Sequence, residues 1–127
     1  MSEVLVPISI GELVDKVTIL NIKQREIKDA SKLVNIRAEL AALNQVCIAA
    51  RIDLTSPEAL DLERINAELW RIEDDIRDKE RAKAFDAEFI ALARAVYVTN
   101  DQRAAIKSLI NAKAGSLLRE EKSYRQY

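Results

Sequence analysis

Apolar side chains recur every three or four residues along most of the chain, the spacing that places them on one face of an α-helix. The longest uninterrupted pattern covers residues 57–83. Its inward row consists of Leu62, Ile65, Leu69, Ile72 and Ile76. Ser56 can cap the start of this helix, and Pro57 suits its first turn, where a missing N–H has no helical partner to lose. We therefore interpret this helix as the central element of the fold, against which the other helices pack.

Four shorter apolar patterns, separated by capping and turn signals, predict four further helices. They cover residues 9–28, 32–51, 87–98 and 101–114, and a C-terminal segment at 116–127 follows them. Ser9 and Glu12 form a capping box at the first helix, Asn100 can cap the last one, and Gly115 can end it. The sequence thus predicts an all-α fold, a single domain over residues 1–127 built as an antiparallel bundle of about five helices.

The first predicted helix carries two rows of apolar positions. One row is the expected core face and holds Ile10, Leu13, Val14, Val17, Leu20 and Ile27. A second row on another side of the helix holds Asp15, Ile19, Ile22 and Glu26. Two such rows require cover on two sides, either from the same fold or from a partner. We predict that the second row forms the interface of a homodimer.

Composition and charge exclude several classes of function. Apolar residues make up 49% of the chain and charged residues 32%, and the 20 basic and 21 acidic residues are evenly mixed, which argues against general nucleic-acid binding. The sequence has no His and a single Cys, Cys47, within an apolar row, so neither a metal site nor a cofactor is predicted. No apolar run approaches a membrane span, and the N-terminus is a poor signal peptide, so we expect a cytoplasmic protein without membrane contact.

Charged and aromatic residues on the later helices are the candidates for a binding site. Asn66, Trp70, Glu73 and Arg77 form a row beside the apolar row of the long helix, where they either face water or line a groove. The candidate ligand-binding residues are Glu73, Arg77, Arg94, Tyr97, Arg103, Lys107, Lys122 and Tyr124. Arginine pairs with carboxylates and phosphates through two hydrogen bonds, so such residues can form a pocket for an anionic ligand. The alternative is a set of surface ion pairs with a docked C-terminal segment, in which Arg77, Arg94 or Arg103 pairs with Glu120.

Three stretches of the chain resemble a bacterial family of small all-helical proteins with no assigned function. They are VPISIGELVDKVTILNIKQREI at 6–27, LWRIEDDIR at 69–77, and the stretch at 89–124 that contains VYVTND and ends in EEKSY. The resemblance covers nearly the whole chain and implies an independent helical domain. It carries no activity, substrate or catalytic residue that could be transferred to this sequence.

Two functions of different classes follow from the sequence. The first is an interaction or structural module that self-associates or binds a protein partner, because the chain has a two-faced helix and lacks phosphate-binding loops and catalytic motifs. The alternative is a small-molecule site between helices that binds an anionic ligand, or a cofactor-independent enzyme that uses the same Arg and Glu residues. No catalytic residue is assigned.

Overall fold

A computed structural model describes residues 2–127 and shows four helices and no strand within that range. The helices are α1 (Ile10–Glu26), α2 (Ala30–Ala49), α3 (Pro57–Arg81) and α4 (Ala87–Ala114). The all-α prediction is confirmed, and the first three helices begin and end within about two residues of their predicted bounds. The expected number of about five helices is slightly too high, because the segments 87–98 and 101–114 form one helix.

The helix α4 runs without a break through the predicted cap at Asn100. Its inward positions continue at spacings of four and three through that point: Leu92, Val96, Thr99, Arg103, Ile106 and Ile110. Thr99 is buried there, and α3 packs along α4. Tertiary packing therefore overrides the local signal of Asn100 and Asp101. Their side chains favour a helix start, but this preference is weaker than the packing of α4 against α3.

The central helix of the bundle is α1, which packs against α2, α3 and α4. The helix α3, predicted as the central element, contacts only α1 and α4, while α2 contacts α1 alone. The inward row predicted for α3 is nonetheless correct, since Leu62, Ile65 and Leu69 are buried. The central helix is α1, and not the predicted α3, because other helices of the same chain cover both apolar rows of α1.

The second row of α1 points into this bundle. Asp15 and Ile22 are almost fully buried, Ile19 is half-buried, and only Glu26 is exposed. The fold itself therefore covers most of the row that was predicted to form a dimer interface. This placement removes the reason for a dimer through Asp15, Ile19, Ile22 and Glu26.

Side-chain caps fix the start of each helix. Ser9, Ser56 and Asp86 accept backbone hydrogen bonds at the first turns of α1, α3 and α4, and Asp29 does the same for α2. The Ser9 half of the predicted capping box forms, with the Glu12 N–H donating to Ser9 Oγ at 3.0 Å. The other half does not, because the Glu12 carboxylate accepts a hydrogen bond from Lys107 instead.

The capping carboxylates make stability depend on pH only in the acid range. The Ser31 hydroxyl lowers the pKa of Asp29, and the backbone N–H of Phe89 lowers the pKa of Asp86. A carboxyl group with a lowered pKa stabilises the fold above its unfolded pKa of about 3.9, and this stabilisation is lost as the pH falls through the folded pKa. Burial raises the pKa of the Cys47 thiol, so its contribution changes only at alkaline pH.

We expect the melting temperature to be flat between about pH 5 and pH 8 and to fall below about pH 4. The chain has no His, so no side chain of ordinary pKa titrates in the flat range. Thermal unfolding followed by circular dichroism in buffers from pH 3 to pH 8 measures this profile. Asp29→Asn should reduce the fall in melting temperature at acid pH. A change in melting temperature centred between about pH 5.5 and 7 would show that groups other than these carboxylates control the pH dependence.

Candidate functional site

A buried polar cluster joins α1, α3 and α4 around Asp15. The Asp15 carboxylate is almost fully buried and forms a two-pronged ion pair with Arg103, in which the Arg103 Nε lies 2.9 Å from Asp15 Oδ1 and Nη2 donates to Oδ2. Asn66 Nδ2 donates to Asp15 Oδ1 and to Thr18 Oγ1, both at 2.9 Å. The hydrogen bond that Arg103 donates to Asp15 also raises the pKa of Arg103. The cluster thus holds the Arg103 guanidinium in one orientation.

Lys107 lies one turn further along α4 and is surrounded by carboxylates. Its Nζ lies 2.7 Å from Glu12, 3.8 Å from Asp15 and 3.6 Å from Glu120. The side chain is only 9% exposed, so its ammonium is poorly hydrated and depends on these partners. Lys107 therefore links the buried cluster of α1 to the C-terminal segment.

The start of α1 is sealed against the end of α4. The Gly11 N–H donates to Asn111 Oδ1 at 2.6 Å, and the Ile10 N–H donates to Ser116 Oγ at 3.2 Å. These bonds satisfy two N–H groups that a helix start leaves without partners. Gly115, with φ of +67°, ends α4 as predicted and turns the chain towards Ser116. The C-terminal segment is therefore anchored at Ser116 before it runs back along α4.

A cavity of about 660 Å³ lies between α4 and the C-terminal segment. The wall formed by α4 includes Tyr97, Asp101, Arg103 and Lys107. The wall formed by the C-terminal segment includes Glu120, Lys122, Tyr124, Arg125 and Tyr127. Cavities that hold small molecules are usually about 300–1,000 Å³. Charged and aromatic side chains of α4 and of the C-terminal segment converge at this cavity.

Charges and one aromatic contact hold the C-terminal segment beside the cavity. The Lys122 ammonium, 3.2 Å from Glu120, is the main cause that lowers the pKa of that carboxyl, with a further contribution from Lys107. The Tyr127 ring meets Tyr97 edge to face at 5.0 Å, and a hydrogen bond to Asp101 raises the pKa of Tyr127. The partner of Glu120 on the bundle is thus Lys107, and the expected pairing with Arg77, Arg94 or Arg103 is wrong.

The leucines of this segment contribute little to its docking. Leu117 is 99% exposed and Leu118 is 44% exposed. Tyr124 is also largely exposed, and its ring lies 5.7 Å from the Lys122 ammonium. The segment is therefore held by its polar contacts and by the contact between Tyr97 and Tyr127, with little contribution from its leucines.

The structure gathers five of the eight predicted ligand-binding residues around this cavity. They are Tyr97, Arg103, Lys107, Lys122 and Tyr124. Glu73 and Arg77, one turn apart on α3, pair with each other beside a second hollow that Trp70 also lines, and Arg103 lines both hollows. Arg94 is exposed on α4 and lines neither hollow.

The sequence pattern did not identify the polar residues that hold Arg103 and Lys107 in place or that join α1 to α4 beside the cavity. These are Glu12, Asp15, Thr18, Asn66, Asn111 and Ser116; the pattern had placed Asp15 and Asn66 in rows and Glu12 in the capping box, without connecting them. One signal was available: Asp15 shares a face of α1 with the apolar residues Ile19 and Ile22. A carboxylate at such a position needs a buried cation, and the long helix α4 supplies Arg103.

The outer face of α2 is a second surface without an evident role in the fold. It is the side turned away from α1 and carries Val34, Ala38, Ala41, Gln45 and Ile48 at spacings of four, three, four and three. Val34 is 66% exposed and Ile48 is 70% exposed. The last ten residues of α2, 40–49, contain no charged side chain. A solvated helix face normally carries charges, so this face has the composition of a contact surface.

The described part of the chain shows neither a group of metal-binding side chains nor a membrane-spanning helix. Within residues 2–127, no group of three or more His, Cys, Asp or Glu side chains is arranged to hold a metal ion. In the same range, no helix combines the length and apolar character that crossing a bilayer requires. The polar side chains that line the cavity belong to Arg, Lys, Tyr, Asn, Asp and Glu residues.

Comparison with known proteins assigns the chain to a family without assigning an activity. Neither a curated protein nor a solved structure matches the chain. A family match extends over residues 4–127, which covers all four helices and the C-terminal segment. The chain belongs to DUF6165, a family of unknown function.

Proposed function

We propose that the protein is an interaction module that self-associates through the outer face of α2. The observation that carries this proposal is the uncharged apolar stripe on a helix that has a single neighbour, α1. The other three helices form a mutual core, whereas α2 has one covered side and one bare side. A second copy of the chain is the occupant that we assign to the bare side.

The stripe is self-complementary under a two-fold axis. Its two branched apolar residues, Val34 and Ile48, lie at its two ends, and the small residue Ala41 lies at its centre. In an antiparallel pair of α2 helices, Ala41 meets its own copy, and each Val34 meets the Ile48 of the second copy. An interface of this kind uses the same patch on both chains, as dimers with two-fold symmetry do. Small central residues also let two helices approach closely.

The wild-type protein should be a dimer in solution, and Ala41→Glu should make it a monomer. At the proposed axis two carboxylates face each other without water, an arrangement that costs several kcal/mol. Light scattering after size-exclusion chromatography gives the mass, and circular dichroism checks that the helix content is unchanged. Ala105→Glu is the matched control, since Ala105 is also an exposed alanine within a helix, and it should leave the dimer intact.

A cross-linking test reports on the axis itself. With Ala41→Cys, the two introduced thiols lie close together at the proposed axis and should oxidise to a disulfide-linked dimer. Cys47, the natural thiol, is buried and should not compete in this reaction. Ala105→Cys should remain uncrosslinked under the same oxidant. A wild type that is monomeric at every concentration, or a dimer that survives Ala41→Glu, would show that this face does not mediate self-association.

Two expectations from the sequence belong with this proposal. A cytoplasmic location suits a module with a buried, reduced Cys47. A bacterial source is implied by the resemblance of the stretches at 6–27, 69–77 and 89–124, and it stays a prediction. Fractionation of source cells with an antibody against the protein would test the location.

A further inference from the structure

Cationic side chains outnumber acidic ones on the wall of the cavity between α4 and the C-terminal segment, although Asp15 and Glu12, outside the wall, pair with Arg103 and Lys107. Four cationic side chains, those of Arg103, Lys107, Lys122 and Arg125, face two acidic ones, those of Asp101 and Glu120. Arg125 forms no ion pair with any residue in the range 2–127. An anion entering the cavity would thus meet at least one cation that has no competing partner in the described chain.

Arg103 is prepared to bind a second anion. Its bonds to Asp15 use the Nε and Nη2 edge of the guanidinium, and among the described residues Nη1 donates no hydrogen bond. A guanidinium has five N–H donors in a fixed plane, so the remaining donors point away from Asp15. Asp15 removes the freedom of the side chain before any ligand arrives, which lowers the entropic cost of binding.

The chain itself shows that a carboxylate fits at the inner end of the cavity. Glu120 Oε2 lies 3.6 Å from the Lys107 ammonium, and Glu120 Oε1 lies 3.2 Å from that of Lys122. The first distance is too long for a good hydrogen bond, so Glu120 holds this place weakly. A ligand carboxylate or phosphate could take the same place with shorter contacts to Lys107.

The outer part of the cavity is aromatic. Tyr97 and Tyr127 meet edge to face, and the Tyr97 side chain still exposes 41% of its surface. Val96 and Ala104 of α4 add apolar surface to the same wall. Such a wall favours a flat ring, which tyrosines contact by edge or offset face.

We propose that this cavity is a binding site for a small aromatic anion, a carboxylate or phosphate group attached to a flat ring. The acidic group lies at Arg103 and Lys107 in the place that Glu120 now holds, and the ring lies against Tyr97 and Tyr127. Arg125 closes the site from the C-terminal segment. The site is on the opposite side of α1 from α2 and does not depend on self-association.

The test is a titration of the full chain with simple probes, followed by ¹⁵N nuclear magnetic resonance spectra. Benzoate and phenyl phosphate carry both a ring and an anionic group, acetate carries only the group, and benzyl alcohol carries only the ring. We expect saturable shifts at Tyr97, Arg103 and Lys107 with benzoate or phenyl phosphate, and much weaker ones with acetate and benzyl alcohol. The comparison of the first two distinguishes a carboxylate ligand from a phosphate ligand.

Variants outside the buried cluster keep the fold intact. Arg125→Ala should weaken binding by about twofold to fivefold, the range expected for one exposed ion pair. Glu120→Gln should strengthen binding by a similar factor, because it removes the carboxylate that competes for Lys107. Arg119→Ala is the matched control, since it removes the same charge from the same segment outside the cavity wall and should have no effect.

Three outcomes would overturn the proposal. The first is the absence of saturable shifts with benzoate and phenyl phosphate at millimolar concentration. The second is binding that Arg125→Ala and Arg119→Ala weaken equally, since this would indicate general charge attraction. The third is binding that Glu120→Gln leaves unchanged or weakens.

Discussion

Asp15→Ala should destabilise the protein by about 3–5 kcal/mol, the usual cost of removing one partner of a buried ion pair. The substitution leaves Arg103 without its two-pronged acceptor, and it removes an acceptor from Asn66. Lys107 keeps Glu12 as a partner, so the main penalty falls on Arg103. In a chain of this size each kcal/mol lowers the melting temperature by roughly 3–5 °C. Urea unfolding followed by circular dichroism measures the loss.

Asp61→Ala is the matched control for this prediction. Asp61 also pairs with an arginine, Arg64, at 3.2 Å, but both of these side chains are more than half exposed. Exposed pairs of this kind contribute about 0–1 kcal/mol, so the control should change the free energy of unfolding by less than about 1 kcal/mol. If Asp15→Ala and Asp61→Ala lowered the free energy of unfolding equally, the buried ion pair would contribute no more to stability than the exposed one.

A double substitution separates the unpaired charge from the lost volume. Asp15→Leu combined with Arg103→Leu replaces the ion pair with apolar side chains, which is often neutral or stabilising by about 1–4 kcal/mol relative to the pair. The double variant should therefore be more stable than Asp15→Leu alone. If the two variants are equally unstable, the loss comes from packing around α1 and Asn66, and the charge argument is wrong.

The helical pattern of the sequence was sufficient to predict the fold, and its failures have identifiable causes. Apolar spacing and the caps at Ser9 and Ser56 are local properties, so α1 and α3 could be located within about two residues. The division of α4 failed because Asn100 has a local preference for helix starts, while the inward row from Leu92 to Ile110 continues through it. That row acts through packing on α3, which local preferences do not measure.

The candidate site was predicted in part, and the difference again follows from the range of the interactions. Arg103 and Lys107 lie four residues apart within the predicted helix 101–114, so their convergence could be expected. Tyr97 belonged to the separate predicted helix 87–98 and joins them because α4 continues through Asn100. Asp15 is separated from Arg103 by 88 positions in the chain, and no spacing rule connects them. Asp15 was therefore assigned to an outer interface, although the same pattern of a lone carboxylate among apolar residues also fits a buried ion pair.

Gly11→Ala should also be strongly destabilising, although alanine is the better helix former by about 0.8–1.0 kcal/mol. A Cβ at position 11 would lie 2.6 Å from the backbone oxygen of Lys107 and 2.9 Å from Asn111 Oδ1. A backbone oxygen cannot rotate away, so α1 and α4 must separate. Overpacking of this kind usually costs about 1–3 kcal/mol. The separation also lengthens the Gly11–Asn111 hydrogen bond and the Glu12–Lys107 ion pair, which both cross the same contact.

Gly115→Ala distinguishes this steric reason from a backbone reason. Gly115 has φ of +67°, and a Cβ added there would meet no atom within 4 Å, so alanine is strained by about 1–2 kcal/mol without any clash. Gly11 lies in ordinary helix, where alanine has no backbone strain. Urea unfolding of both variants should show the larger loss for Gly11→Ala, together with weaker amide-exchange protection at Ile10 and Gly11. A Gly11→Ala protein as stable as the wild type would show that α1 and α4 are not in close contact at this point, and the seal between the helix start and Asn111 would then be wrong.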